Sequence, residues 1–328
     1  MRAVAQDRYG EADVLHPAEL PVPAPGEGEV LVEVHAAGVD RGVWHLMAGR
    51  PYVARLLFGL TRPRNPVPGM DLAGVVAAVG AGVTRFAVGN RVFGIGRGAF
   101  AEYAIAPEAK LAHVPAATTA VQAAVTPISG LTALQALTDV ASVQPGDHVL
   151  VIGASGGVGS FAVQIATALG AEVTGVASAP KADLVRSLGA AHVLDHASDD
   201  YLDGTVRYDV IVDTGGLNPV RRLRRALTRT GTLVIVGGEG GGAVTGGVGR
   251  SLRAAAWSPF VSQRLRGMLS AERREDLERL AALLASGDLV PAVGARYPLD
   301  RAPQAIADLT AGRARGKSVV VVRSTGPA

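Results

Sequence analysis

The chain contains no cysteine, which excludes disulfides, thiol nucleophiles and every thiolate zinc site. Aromatic residues are scarce, at 4%, and none interrupts the densest basic run, Arg221, Arg222, Arg224, Arg225 and Arg229. Nucleic-acid surfaces interleave aromatics that stack on bases, so this run reads as a solvated helix face and no nucleic-acid partner is expected. The excess of one charge sign is small, at +3. No stretch is long and apolar enough to span a bilayer, and Arg2, Asp7 and Arg8 precede any apolar run that could act as a signal peptide. The expectation is a soluble, cytoplasmic protein without a membrane partner.

What is present is length and apolar content. A chain of 328 residues that is 48% hydrophobic has room for two domains at roughly 100–200 residues each. The first third alternates short β-rich runs with Gly and Pro punctuation, at Arg2–Gln6, Glu29–Ala36, Val75–Val79 and Asn90–Phe93. From about Pro127 the pattern changes to apolar strands at His148–Ile152, Glu172–Ala177, Tyr208–Asp213 and Thr232–Gly237. Helical stretches separate them at Val158–Leu169, Lys181–Leu188 and Val220–Thr228, and a charged helix follows at Ala271–Ser286. Strand–helix alternation of this kind predicts an α/β fold with a doubly wound parallel sheet. The tail returns to β character at Ala295–Leu299 and Ser318–Arg323 around a helical stretch Gln304–Leu309, so the C-terminus is expected to rejoin the N-terminal unit.

The strand His148–Ile152 runs directly into Gly153-Ala154-Ser155-Gly156-Gly157-Val158-Gly159 and then into a helix. Glycines let the backbone approach a pyrophosphate, and the unpaired amides and positive dipole end of the helix favour its charge. Gly153, Ser155, Gly156, Gly157, Val158 and Gly159 are therefore candidate cofactor contacts. NAD-binding chains usually end the next strand with an acid that accepts from the adenosine ribose. Here the chain reads Ala177-Ser178-Ala179-Pro180-Lys181. Ser178 and Lys181 are placed to bind a 2′-phosphate, which favours NADPH over NADH; the alternative is that Lys181 is an exposed residue of the first helical turn.

With the glycine turn following a β-rich unit, the chain resembles the medium-chain dehydrogenase/reductase family over nearly its whole length. The resemblance is carried by Gly28-Glu29-Val30-Leu31-Val32, Gly69-Met70-Asp71-Leu72-Ala73-Gly74, Gly89-Asn90-Arg91-Val92-Phe93-Gly94, Gly98-Ala99-Phe100-Ala101-Glu102-Tyr103, Gly130-Leu131-Thr132-Ala133, the glycine turn and Ala314-Arg315-Gly316-Lys317 in that order. It implies a GroES-like, mostly-β catalytic domain from residues 1–124 and 267–328, and a Rossmann NADP(H)-binding domain from 125–266. It also implies an active site in the cleft between them and a homodimer. Zinc-dependent relatives carry a cysteine near Ala37-Gly38-Val39-Asp40 and a histidine in a Gly-His-Glu run. This chain has Asp40 and Gly69-Met70-Asp71 instead, so it resembles the zinc-free, quinone-oxidoreductase-like branch and no metal is expected.

Zinc polarises a carbonyl and stabilises an alkoxide; without it, conjugated acceptors that spread charge onto oxygen suit the site better. The resemblance therefore implies hydride transfer from NADPH to a small-molecule quinone or enone. Asp40 is a candidate proton donor, with local backbone capping as the alternative. Tyr52 lies near a catalytic tyrosine of enoyl-reductase relatives, and the alternative is an aromatic pocket wall. His45 matches a proton-relay histidine of some zinc enzymes, or else supports its neighbours through hydrogen bonds. Thr132, Gly215, Gly237 and Gly238 resemble positions lining the nicotinamide side, and His196 and Lys317 complete the expected cofactor set. Arg50, Arg55, Arg62 and Arg64 either attract an anion or face water, with water favoured. A carbonyl or alcohol oxidoreductase and a non-catalytic NADP(H)-binding scaffold are the competing functional readings.

Overall fold

The computed structural model describes residues 1–215, 218–236 and 246–323. The chain divides into two compact units, Met1–Leu131 with Glu272–Ala328, and Thr132–Ala271.

The first unit is built on a seven-stranded sheet. Its order is Val293–Pro298, Lys317–Val321, Glu29–Val39, Asp71–Val79, Arg91–Ile95 and Leu111–His113, and Tyr103–Pro107 also pairs with Glu29–Val39. Val30, Val32 and Val34 are buried along the central strand, because a β-branched residue at every second position lays one face of the pleat on the core. The C-terminal strand pairs antiparallel with this strand, Ser318 opposite Val39, while Leu72 pairs with Ala37 on the other side. Both ends of the unit are therefore stitched together at one sheet position. That register also brings Asp40, Asp71 and Lys317, all at strand ends, to the same end of three adjacent strands.

The strand Asp71–Val79 begins four residues before the expected Val75. Its first half is a small-residue run, Asp71-Leu72-Ala73-Gly74, without the β-branched alternation that marks a strand, and close packing decides it. A Cβ at Gly74 would lie 1.9 Å from the Glu33 carbonyl oxygen, so the neighbouring strand approaches this glycine more closely than any side chain allows.

The second unit holds a six-stranded parallel sheet in the order His192–Asp195, Glu172–Ala177, His148–Ile152, Tyr208–Asp213, Leu227–Val236 and Arg264–Met268. Strand order reverses between His148–Ile152 and Tyr208–Asp213, and in open α/β sheets ligands bind beyond the carboxyl ends of strands at such a switch point. Leu150, Ile211, Leu233 and Leu265 are buried in one core cluster. Helix Gly157–Ala168 has an almost wholly buried sequence from Gly159 to Ala166, as expected for a helix packed tightly on a sheet. The helix expected over Val220–Thr228 ends at Arg225, because Leu227 pairs with Tyr208 and enters the sheet early.

Candidate functional site

In the second unit the glycine turn sits at the carboxyl end of His148–Ile152. Gly153 adopts φ +82°, a left-handed conformation that disfavours side chains. The amides of Gly153 and Ala154 donate to the Val176 carbonyl at 3.1 and 3.0 Å, which fixes the turn beside the next strand. A Cβ at Gly159 would stand 2.1 Å from the Gly153 carbonyl oxygen. The first amides of helix Gly157–Ala168, those of Gly157, Val158 and Gly159, have no carbonyl one turn earlier within the helix to bond. Amides left open in this way are groups that can bind an anion. Ser155 is buried at 7% exposure.

The carboxyl ends of the two neighbouring strands collect the other expected cofactor contacts. Ser178 follows Ala177, the Lys181 amide donates to the Ser178 carbonyl at 2.8 Å, and the His196 amide donates to the Ala177 carbonyl at 3.2 Å. Ser178 and Lys181 thus follow the strand whose Val176 holds the glycine turn, and His196 follows the strand paired with it. Asp195, an acid that the sequence reading did not weigh, accepts from the Ala197 amide at 3.1 Å.

On the other side of the switch point the Gly215 amide donates to Asp213 Oδ1 at 3.2 Å. Asp213 is fully buried, and Arg250 Nη2 bonds both its Oδ2 and the Asn218 carbonyl, the latter at 2.8 Å. Sequence reasoning missed this pair; the available signal was an acid ending an otherwise apolar parallel strand. Thr132, 8% exposed, donates to Ser270 Oγ at 3.1 Å. Gly237 and Gly238 lie outside the described residues.

In the first unit Asp40 is the N-cap of helix Arg41–Ala48, its Oδ1 accepting from the Val43 amide at 3.0 Å. Its Oδ2 is buried without a hydrogen bond and faces Lys317, whose Nζ stands 3.9 Å from Asp40 Oδ2 and 3.7 Å from Asp71 Oδ2. Asp71 and Lys317 are 0% and 2% exposed. Asp71 Oδ1 accepts from the Ile128 amide at 3.1 Å. Burial pushes the Asp71 carboxyl up to about 8, against the pull of the Lys317 ammonium, and the nearby Asp40 charge adds to the rise. One cation thus faces two buried carboxyl groups, of which Asp71 tends to hold its proton at neutral pH. Lys317, expected as a cofactor contact, and Asp40, expected as an acid, are brought into one cluster with Asp71.

His45 sits on the last turn of the same helix, with Nδ1 3.1 Å from the Arg50 carbonyl and its ring centroid 4.8 Å from that of Trp44. Tyr52 is 43% exposed, and the Arg55 guanidinium carbon stands 4.6 Å from its ring centroid.

The fold defines a two-unit α/β class with a doubly wound parallel sheet in one unit, and comparison with known proteins narrows it. Residues 26–116 match the alcohol dehydrogenase GroES-like domain family, and residues 188–320 match the zinc-binding dehydrogenase family. A chloroplastic quinone-oxidoreductase of Triphysaria versicolor is 32% identical over 338 residues, covering 98% of each chain. Human quinone oxidoreductase is 31% identical over 333 residues with the same coverage. Among solved structures, quinone oxidoreductase from Coxiella burnetii superposes with a TM-score of 0.87 at 29% identity, over 98% of this chain and 99% of that one. Escherichia coli quinone oxidoreductase complexed with NADPH superposes with a TM-score of 0.83 at 27% identity, over 98% of this chain and 100% of that one. The chain belongs to the medium-chain dehydrogenase/reductase superfamily, in its quinone-oxidoreductase-like branch. It is an oxidoreductase with a Rossmann-type parallel-sheet domain and a GroES-like domain.

Proposed function

We propose that this oxidoreductase uses NADPH to reduce a quinone or an α,β-unsaturated carbonyl without zinc. The observation that carries the cofactor assignment is the glycine cradle flanked by Ser178, Lys181 and His196 at neighbouring strand ends. A lysine contact to a 2′-phosphate is charge-assisted and contributes about 1.5–3 kcal/mol. The similarity to quinone oxidoreductases, one of them complexed with NADPH, supports the same reading.

The zinc-binding dehydrogenase match raises the question of a metal. The residues at the corresponding strand ends are Asp40, Met70 and Asp71, and Lys317 Nζ lies within 3.9 Å of both carboxylates. A dication among these groups would face a buried ammonium at a few ångströms, so the residues do not fit zinc. The ammonium itself supplies the positive charge.

NADPH, when bound, supplies a hydride equivalent; with one proton in addition, each hydride reduces a quinone to its hydroquinone or an enone to the saturated carbonyl. The chain's own groups hold the pyrophosphate at the amides of Gly157, Val158 and Gly159 and the 2′-phosphate at Ser178 and Lys181. Tyr52, with an exposed phenol, donates a hydrogen bond to the oxygen on which charge develops. Asp40, with one oxygen committed to its helix cap, fixes the segment that carries His45 and leads to Tyr52. Oxidation of NADPH with a panel of soluble quinones, enones and simple ketones tests the assignment. Turnover with quinones or enones is expected, and turnover with ketones alone would replace it with a carbonyl reductase.

A further inference from the structure

The segment 49–64 is tied down by its own groups and by Tyr9. The Arg55 guanidinium carbon lies 4.5 Å from the Tyr9 ring centroid and 4.6 Å from that of Tyr52, and its Nε donates to the Gly49 carbonyl at 2.9 Å. The Tyr9 hydroxyl donates to the Gly59 carbonyl at 2.6 Å, and the Arg64 amide to the Phe58 carbonyl at 2.8 Å. Internal bonds of this kind fix which side chains face out. Those that do so include Val53, Leu56, Phe58 and Leu60, with Leu56 70% and Leu60 68% exposed. Clustered apolar side chains held toward water mark an interaction surface.

Charge identifies the partner. Residues 41–70 contain no Asp or Glu but five arginines, Arg41, Arg50, Arg55, Arg62 and Arg64. Arg55 is spent on the two phenol rings, and Arg50 lies 3.9 Å from Glu11. Arg62 and Arg64 are exposed and form no ion pair among the described residues. Exposed apolar side chains bordered by uncompensated arginines match an interface that is apolar within and anionic at its surface. We infer that segment 50–64 docks peripherally on an anionic phospholipid bilayer, with Leu56, Phe58 and Leu60 entering the headgroup boundary and Arg62 and Arg64 meeting lipid phosphates. No helix among the described residues is long and apolar enough to cross a membrane, so contact is from one side. In sequence these arginines read as facing water, because the Arg55 anchor that turns the leucines outward is a tertiary feature.

The test is co-sedimentation of the full chain with phosphatidylcholine vesicles prepared with and without phosphatidylglycerol. Binding is expected only with phosphatidylglycerol and weakens as salt is raised. Each arginine near an anionic surface contributes about five-fold in affinity, so Arg62→Ser with Arg64→Ser lowers it about 30-fold. Leu56→Ser with Leu60→Ser lowers it at least about ten-fold through lost apolar burial. All four side chains are exposed, so the variants retain the wild-type thermal midpoint. Wild-type protein that stays in the supernatant, or variants that bind like wild type, would overturn the proposal. Self-association in solution that Leu56→Ser with Leu60→Ser abolishes, without vesicle binding, would assign the patch to a second copy of this chain instead.

Discussion

Replacing Lys317 with methionine removes a buried ammonium that stands 3.9 Å from Asp40 and 3.7 Å from Asp71, and leaves both carboxyl groups behind. The side chain is 2% exposed, so solvent screens the loss little. Breaking a buried ion pair from one side costs about 3–5 kcal/mol, a large part of the roughly 5–15 kcal/mol that keeps a domain folded. At about 2–4 °C per kcal/mol for a domain of this size, the thermal midpoint at neutral pH falls by on the order of 10 °C. The sign of the pH dependence follows from Asp71, whose carboxyl is raised from 3.8 to about 8 in the folded protein. A raised carboxyl binds its proton more tightly when folded. Its stabilising effect is therefore complete below the unfolded value and is lost as pH climbs through the folded one. Without Lys317 the ammonium's pull on the Asp71 carboxyl is lost and its folded value rises further, so the deficit of the variant widens as pH climbs from about 7 to about 9. Adding Asp71→Asn keeps an acceptor for the Ile128 amide, deletes one carboxylate and recovers much of the loss. Thermal unfolding of wild type, the single variants and the double variant across this pH range is the assay. A Lys317→Met protein as stable as wild type, or a deficit independent of pH, would mean that Lys317 does not compensate the buried carboxyl groups.

Four other outcomes follow from the same geometry. Asp71→Asn alone should flatten wild-type stability between about pH 4 and 8, where each proton held by the folded state costs about 1.4 kcal/mol per pH unit; unfolding midpoints across the range measure it. Gly159→Ala places a methyl 2.1 Å from the Gly153 carbonyl oxygen, so NADPH binding should fall at least about ten-fold, as any shift of the turn misplaces the cradle amides. Lys181→Ala should narrow the preference for NADPH over NADH by roughly ten- to 150-fold, and an unchanged ratio of affinities would remove its assigned contact. Asp40→Asn preserves a good helix cap, so an unaltered pH profile of turnover leaves Asp40 a positioning role, whereas loss of one limb makes it a proton donor.

The parallel sheet was readable because its strands are buried on both faces. His148–Ile152, Glu172–Ala177 and Tyr208–Asp213 are nearly continuous apolar runs, and they form strands with those same bounds. The glycine turn was readable because its residues are local in sequence and their order carries the geometry. Strand Asp71–Val79 was half hidden, since Gly74 is small for reasons of packing against the Glu33 carbonyl that no local pattern reveals. The Asp40, Asp71 and Lys317 cluster was hidden altogether. Its members belong to three chain segments that only the antiparallel register of Ser318 opposite Val39 and Leu72 opposite Ala37 brings together. Arg250 was lost for a similar reason, because its bond to buried Asp213 joins two segments of the second unit that sequence separates.

The proposed function places NADPH in the glycine turn and along the Ser178–Lys181 stretch. Fluorescence titration of the purified protein with NADPH and NADH in parallel tests it most directly. NADPH should bind saturably and at least about ten-fold tighter than NADH, the preference expected of one charge-assisted phosphate contact. Equal affinities would contradict the 2′-phosphate assignment, and failure to bind either nucleotide would contradict the proposed function as a whole.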